Sequence, residues 1–176
     1  MNDAETNLDY SVLDRPEILM FLFHPRQEGG FMPRQSSGMD VSIPVEPDIS
    51  IGACFHMTGK ADPNILFFHG NGEIVADYDE LAPVYNQLNI NFLPVDYRGY
   101  GRSGGHPTVT AMMQDCHAIF LFVKEWLDQQ GYTGPLVVMG RSLGSASALE
   151  LASTREADID ALILESGFAL AAPLLH

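Results

Sequence analysis

The stretch Gly140-Arg141-Ser142-Leu143-Gly144 indicates the fold more strongly than any other part of this 176-residue chain. It follows an apolar run at 135–139, typical of a buried strand, and precedes a run with helical spacing at 145–154. A serine between two glycines at a strand-to-helix turn is the sequence form of a nucleophile elbow, in which the turn exposes the serine hydroxyl. The glycines leave room for the strand and the helix to pass each other. Ser142 is therefore a candidate nucleophile.

Short apolar runs and helical patterns alternate along the rest of the chain. Alternating residues predict paired strands over 41–45 and 49–55, and Pro44 places the first of them at a sheet edge. The remaining pattern predicts strands at 65–68, 92–95, 136–139 and 161–164, and helices at 74–88, 109–130 and 143–153. This order favours an α/β fold with a mostly parallel sheet and helices on both faces. We expect residues 1–40 to be a lead-in segment that packs onto a domain formed by residues 41–176.

Composition argues against several classes of partner. The net charge of −14 and the pI near 4.5 disfavour nucleic acid and anionic membrane surfaces, because both repel a polyanion. Apolar stretches such as Ile18 to Phe23 are too short to cross a bilayer, and the acidic start of the chain lacks the pattern of a signal peptide. Cys54 and Cys116 fit reduced core cysteines without a metal-ligand spacing. We expect a cytoplasmic protein without a membrane span.

A second motif, His69-Gly70-Asn71-Gly72, follows the predicted strand 65–68. Acyl transfer through a serine needs N–H donors for the oxyanion of the tetrahedral intermediate. In the elbow arrangement they come from the residue after the nucleophile, here Leu143, and from the loop after the third strand, here Asn71. An ordinary turn with Asn71 in a left-handed conformation would explain the second motif alone. The pairing of two motifs at two strand ends favours an oxyanion hole.

A third motif, residues 96–104, contains Gly99, Gly101 and Gly104 in the spacing G-x-G-x-x-G. A dinucleotide site would require these glycines to open a helix and an acidic residue about 20 positions further on. Gly105 and Pro107 delay the helix, and Glu125, the acidic residue nearest to the required distance, falls inside the predicted helix. The sequence therefore favours a rigid loop pinned by an interaction between Asp96 and Arg98, and dinucleotide binding is the weaker alternative.

Together with Leu164-Glu165-Ser166-Gly167-Phe168, these motifs make residues 41–170 resemble an α/β-hydrolase of the serine aminopeptidase-like branch. The resemblance implies the α/β-hydrolase fold, Ser142 as nucleophile, and the amides of Asn71 and Leu143 as oxyanion-hole donors. It implies a small-molecule or peptide substrate with an ester, amide or peptide bond. No metal and no organic cofactor are implied.

The triad acid and base are not found by this reading. In this fold the acid and then the histidine follow the serine along the chain, whereas His176 is only 34 positions beyond Ser142 (176 minus 142). Two further strand-helix units would need about 60 residues. A triad of Ser142, Glu165 and His176 has the correct order, but a terminal residue usually frays. We therefore expect the fold to lack its last two strands.

The predicted strand 161–164 is apolar on both faces, as in an interior strand, although here it would form the sheet edge. Such an edge invites a partner. We expect a serine hydrolase represented by an incomplete fragment, and a complementing chain or self-association through this edge remains open. The alternative function is a non-catalytic hydrolase-like binding module.

Overall fold

A six-stranded mixed sheet forms the centre of the protein in the computed structural model, which describes residues 9–29 and 38–167. Its strands are β1 (Met39–Glu46), β2 (Ile49–Phe55), β3 (Asn64–Phe68), β4 (Asn91–Val95), β5 (Leu136–Arg141) and β6 (Ala161–Glu165). They lie in the order β1-β2-β4-β3-β5-β6. β1, β2 and β4 pair in antiparallel fashion, whereas β4, β3, β5 and β6 are parallel. The predicted α/β class with a mostly parallel sheet is confirmed.

Four α-helices accompany the sheet in the described residues: α1 (Pro16–Leu22), α2 (Ala82–Gln87), α3 (Val109–Gln130) and α4 (Gly144–Thr154). The long helix α3 has the predicted bounds. Thr108 caps its N-terminus by accepting the Ala111 N–H, and Gly131 ends it in the left-handed conformation that glycine adopts without strain.

The single helix predicted over 74–88 is wrong. The structure has a 3-10 helix at Val75–Tyr78 and then the short helix α2. Pro83 lies in the first turn of α2, where its missing N–H is tolerated, whereas inside a continuous helix it would break the hydrogen-bond ladder. Helical spacing alone did not show this interruption.

The two faces of the sheet have separate apolar clusters because side chains alternate along each strand. Leu66 and Phe68 of β3 belong to the cluster that contains the buried residues of α3 and α4. Ile65 and Phe67 belong to the opposite cluster, with Tyr78 of the 3-10 helix and the start of α2. Helices therefore cover both faces, as predicted.

The strand β6 forms one edge of the sheet and pairs with β5 alone among the described strands. Leu162, Ile163 and Leu164 are all exposed to solvent, although their apolar character is that of an interior strand. The expected exposed apolar edge is therefore present.

The described residues before β1 pack on the rest of the structure. Phe23 is buried in the main core cluster, and the carboxylate of Asp14 accepts hydrogen bonds from the first amides of α3, those of Val109 and Thr110. Gln27 forms a β-bridge with Gly101. In the described ranges, no helix combines the length and the hydropathy that crossing a membrane requires.

Candidate active site

The elbow lies between β5, which ends at Arg141, and α4, which begins at Gly144. Ser142 has a φ of 48°, in the left-handed region that non-glycine residues rarely adopt. Its N–H donates to the carbonyl of Glu165 over 2.8 Å, and its carbonyl accepts the Ser145 N–H over 3.0 Å. The surrounding backbone therefore holds the strained serine in place.

Both glycines of the elbow are required by close backbone contacts. A Cβ on Gly140 would lie 2.4 Å from the carbonyl oxygen of Gly144. A Cβ on Gly144 would lie 2.1 Å from the carbonyl oxygen of Phe68 and 2.8 Å from that of His69. The start of α4 therefore packs directly against the carboxyl end of β3, where the second predicted motif begins.

This packing brings the two predicted oxyanion donors to neighbouring strand ends. Leu143 is the N-cap of α4, and the N–H groups at a helix N-terminus have no intrahelical acceptor. Within the described ranges, no protein carbonyl accepts the amide of Leu143 or that of Asn71. The left-handed position in the second motif is Gly72, with a φ of 75°, and not Asn71. The alternative of an ordinary turn with Asn71 in the left-handed conformation is therefore not observed.

The side chain of Asn71 is fixed by the lead-in segment and by the third motif. Its Oδ1 accepts the N–H of His24 and the hydroxyl of Tyr100, each over 2.8 Å. Its Nδ2 lies 2.7 Å from Nδ1 of His24. Burial raises the pKa of Tyr100 to about 12, so its hydroxyl stays protonated and can donate. The loop that carries the predicted donor is therefore held from two sides.

A carboxylate connects this loop to the elbow. Glu73 accepts the N–H of Gly70 over 2.7 Å, the hydroxyl of Tyr78 over 2.6 Å and Nε of Arg141 over 3.0 Å. Burial acts to raise the pKa of Glu73. The hydrogen bonds from Tyr78 and Gly70 and the charge of Arg141 outweigh burial, so the pKa lies below its ordinary value. Arg141 also donates to the carboxylate of Glu165 over 2.5 Å.

The predicted interaction between Asp96 and Arg98 is wrong. Arg98 forms two hydrogen bonds of 2.7 Å with Asp115 of α3 and one of 2.8 Å with Glu46. Asp96 is buried and instead lies 3.2 Å from Nε2 of His69, and it accepts the Val75 N–H over 2.9 Å. Asp96 and Arg98 are two positions apart, so their side chains can lie on the same side of an extended segment. They do not pair, because Asp115 of α3 faces Arg98.

The third motif has no features of a dinucleotide site. Its glycines lie in a closed loop, in which the Gly99 N–H donates to the Gly104 carbonyl over 3.0 Å. α3 begins only at Val109, so none of the glycines opens the helix. A Cβ on Gly101 would lie 2.0 Å from Oδ2 of Asp96. Gly101 therefore lets the loop pass close to Asp96.

The histidines that the structure describes have other partners or lie at the surface. His69 is fully buried against Asp96, and Nε2 of His117 lies 3.2 Å from Oε1 of Glu150. His56 faces Asp79, and His106 is exposed. Among these residues, no hydrogen bond joins an imidazole to the Ser142 hydroxyl.

The alternative triad of Ser142, Glu165 and His176 gains no support from the described residues. The carboxylate of Glu165 is paired with Arg141. His176 lies outside the described residues.

Sequence reasoning missed three residues beside the site: His24, Glu73 and Arg141. His24 lies in the lead-in segment, 47 positions away from Asn71, so no local pattern joins the two. The arginine before the elbow serine was a usable signal, because a charged side chain at a strand end needs a partner. Glu73, immediately after the second motif, was the available carboxylate.

Comparisons with known proteins agree with the fold. The family described as "Serine aminopeptidase, S33" matches residues 59–174. The chain is 30% identical over 165 residues to the uncharacterized protein Rv2307c of Mycobacterium tuberculosis, a match that covers 86% of this chain and 57% of that protein. It is 36% identical over 115 residues to the lysophosphatidylserine lipase ABHD12 of Gallus gallus, covering 62% of this chain and 29% of that protein.

Among solved structures, the esterase Pf2001 of Pyrococcus furiosus is similar with a TM-score of 0.64 and 21% identity, covering 85% of this chain and 60% of that chain. At this identity the likeness is one of fold. The chain spans 57% or less of the length of both curated relatives named above.

Proposed function

Because this chain belongs to the serine aminopeptidase S33 family of α/β-hydrolases, we propose that Ser142 is the nucleophile of a serine hydrolase that forms an acyl-enzyme. The observation that carries the proposal is the strained elbow, in which Ser142 has a φ of 48° between two glycines that admit no Cβ. Strain of this kind is retained at sites that need a fixed, exposed side chain. It has no evident use in an ordinary strand-to-helix turn.

In the proposed reaction, Oγ of Ser142 attacks the acyl carbonyl carbon and its proton passes to a base. The carbonyl electron pair moves to oxygen, and the N–H groups of Asn71 and Leu143 stabilise the resulting oxyanion. Collapse of the tetrahedral intermediate expels the leaving group with a proton and leaves an ester on Ser142. Water then releases the acid and restores the serine. The acid and base of this cycle are supplied from outside the residues that the structure describes.

We infer a carboxylic ester as the substrate class, within the wider set of esters, amides and peptides that the family includes. The names of the lipase and esterase relatives support this choice. The network around the loop supports it as well, because both guanidinium groups found there are already paired: Arg26 with Asp77, and Arg141 with Glu73 and Glu165. A free anionic group on the substrate would compete with those carboxylates for Arg141. The acyl carbonyl is thus the group that the loop amides would recognise.

A fluorophosphonate probe tests the nucleophile. We expect one adduct per chain, located on Ser142 by peptide mass mapping and absent from Ser142→Ala. The control is Ser153→Ala, which removes an exposed hydroxyl from the same helix, α4, and should label like the wild type. A folded protein that stays unlabelled, or one whose adduct persists in Ser142→Ala, would contradict the proposal.

The second candidate function is a non-catalytic hydrolase-like binding module, which the unidentified base favours. It would bind an ester at the same loops without forming an adduct. We also propose that the exposed edge of β6 accepts a further strand, from a complementing chain or from a second copy. Its exposed apolar side chains support this proposal.

A further inference from the structure

A cluster of metal-ligating side chains lies away from the elbow, on the other side of β4. Cys54 and His56 come from the end of β2, and Asp79 comes from the end of the 3-10 helix at Val75–Tyr78. One ligand atom from each of these three residues lies within 4.8 Å of the other two. Residues two apart on a strand point to the same face, so Cys54 and His56 face Asp79 together.

Thiolate, imidazole and carboxylate are the three ligand types that zinc takes in proteins. Ligand atoms around a tetrahedral zinc lie about 3.3 to 3.8 Å apart, as bonds of about 2.0 to 2.3 Å require. Nε2 of His56 lies 3.9 Å from Oδ1 of Asp79, a distance too long for a direct hydrogen bond. The pair therefore needs only a small contraction to reach the spacing of two zinc ligands.

The surroundings hold the ligand side chains of the cluster in place. The backbone of His56 exchanges two hydrogen bonds with Phe92 of β4, of 2.9 and 3.0 Å. Gly38 passes over the cluster, and a Cβ at that position would lie 2.4 Å from Sγ of Cys54 and 2.6 Å from Cε1 of His56. A glycine is thus needed for the chain to pass so close to the two ligand side chains.

Asp79 is the most exposed member of the cluster. Cys54 and His56 are buried, whereas the side chain of Asp79 is 23% exposed. An ion would enter beside Asp79, and water would complete the fourth position there. A tetrahedral site with three protein ligands and one water is an established arrangement for zinc.

We propose that Cys54, His56 and Asp79 bind one zinc ion. The ion would tie the 3-10 helix to β2. This helix follows the loop of Asn71 directly, and Asp79 is eight positions beyond Asn71 (79 minus 71). Metal binding would therefore stabilise the segment that carries the loop, and this proposal stands whether or not Ser142 is a nucleophile. The thiol and carboxylate also match cobalt(II), which serves as a spectroscopic substitute.

The experiment is a titration of the metal-free, full-length chain with cobalt(II) and then with zinc(II). We expect one equivalent of cobalt to produce a thiolate-to-metal charge-transfer band, and zinc to abolish this band and to raise the Tm. Cys54→Ser should remove the band. Asp79→Asn, at a partly exposed position, should keep the fold. It should weaken metal binding at least about tenfold, because the loss of even a residue behind the ligands has an effect of that size.

Two matched controls make the result specific. Cys116→Ser removes the other buried thiol, and Glu80→Gln removes the exposed carboxylate next to Asp79. Both should bind cobalt like the wild type. Absence of the band, equal affinity in Asp79→Asn, or loss of the band in Cys116→Ser would overturn the proposal. Binding without a thiolate band would mean adventitious contact with the acidic surface and would overturn it too.

Discussion

The strands β3 and β6 have similar apolar runs, but the structure places them in opposite environments. Ile65 to Phe68 is buried on both faces between β4 and β5, whereas Ala161 to Leu164 is exposed at the sheet edge. The end of β3 continues into a loop whose side chains are held by tertiary partners: His69 by Asp96, and Asn71 by His24 and Tyr100. Apolar character therefore predicts that a segment forms a strand. Whether that strand is buried depends on its neighbours in the sheet, which are β4 and β5 for β3 but β5 alone for β6 among the described strands.

A matched pair of substitutions tests this difference and has the largest expected effect. Leu66 is 0% exposed and Leu162 is 38% exposed. We expect Leu66→Ala to lower the free energy of unfolding by about 4 kcal/mol, through lost burial and a cavity. Leu162→Ala should cost less than about 1 kcal/mol, because solvent already reaches the side chain. Urea denaturation of both variants measures the difference, and equal losses would show that β6 is covered in solution.

The close contact between α4 and the end of β3 gives the next prediction. Gly144→Ala should destabilise the protein by about 3 kcal/mol, because the new Cβ would lie 2.1 Å from the carbonyl oxygen of Phe68. Gly104→Ala is the control: its Cβ would lie 4.0 Å from the nearest atom, and we expect a change within about 0.5 kcal/mol. If thermal and urea unfolding cannot distinguish the two variants, the elbow does not pack on β3 as described.

Glu73 gives a prediction about pH. Its pKa is lowered in the folded state, so its stabilising effect is complete above the ordinary value of 4.5 and is lost as the pH falls through the lower folded value. Glu73→Gln should cost about 1 kcal/mol at pH 7, since solvent screens a partly exposed network. The gap between wild type and variant should narrow below pH 4.5.

Unfolding measured at several pH values checks this. Glu80→Gln, an exposed carboxylate outside the network, should leave the pH dependence unchanged. A gap that widens on acidification would reverse the sign and refute the role of Glu73.

The smallest expected change in stability concerns the edge. Ile163→Lys should alter the free energy of unfolding by no more than about 0.5 kcal/mol, because the side chain is 40% exposed. It should nevertheless reduce self-association in sedimentation velocity, since a lysine on an edge strand opposes pairing. Leu149→Lys, at a residue 41% exposed on α4, is the matched control and should associate like the wild type. A wild type that is monomeric at every concentration would remove self-association as the use of this edge.

Local patterns predicted the strands and the elbow because the decisive residues are adjacent in sequence. The run Ile65 to Phe68 and the spacing Gly140 to Gly144 each contain their own reason for forming a strand or a turn. Pro83 is a local signal of the opposite kind, because a proline inside a helical pattern over 74–88 predicts an interruption that the apolar spacing does not show.

The partners that fix the site could not be predicted, because they depend on tertiary contacts. Arg98 pairs with Asp115, which is 17 positions away on α3, rather than with Asp96. Asp79 joins Cys54 and His56 only after the segment beyond β3 has folded back onto β2. Side chains on different elements find each other through topology, which spacing along one segment does not specify.

In the proposed function, the loop of Asn71 and the start of α4 form one oxyanion site around Ser142. The most direct test is the amide NMR spectrum of the 15N-labelled chain on addition of a boronic acid, which forms a tetrahedral adduct with a serine hydroxyl. We predict that the amides of Asn71 and Leu143 shift together, and that Ser142→Ala abolishes both shifts. Unmoved amides, or the same shifts in Ser142→Ala, would contradict the account.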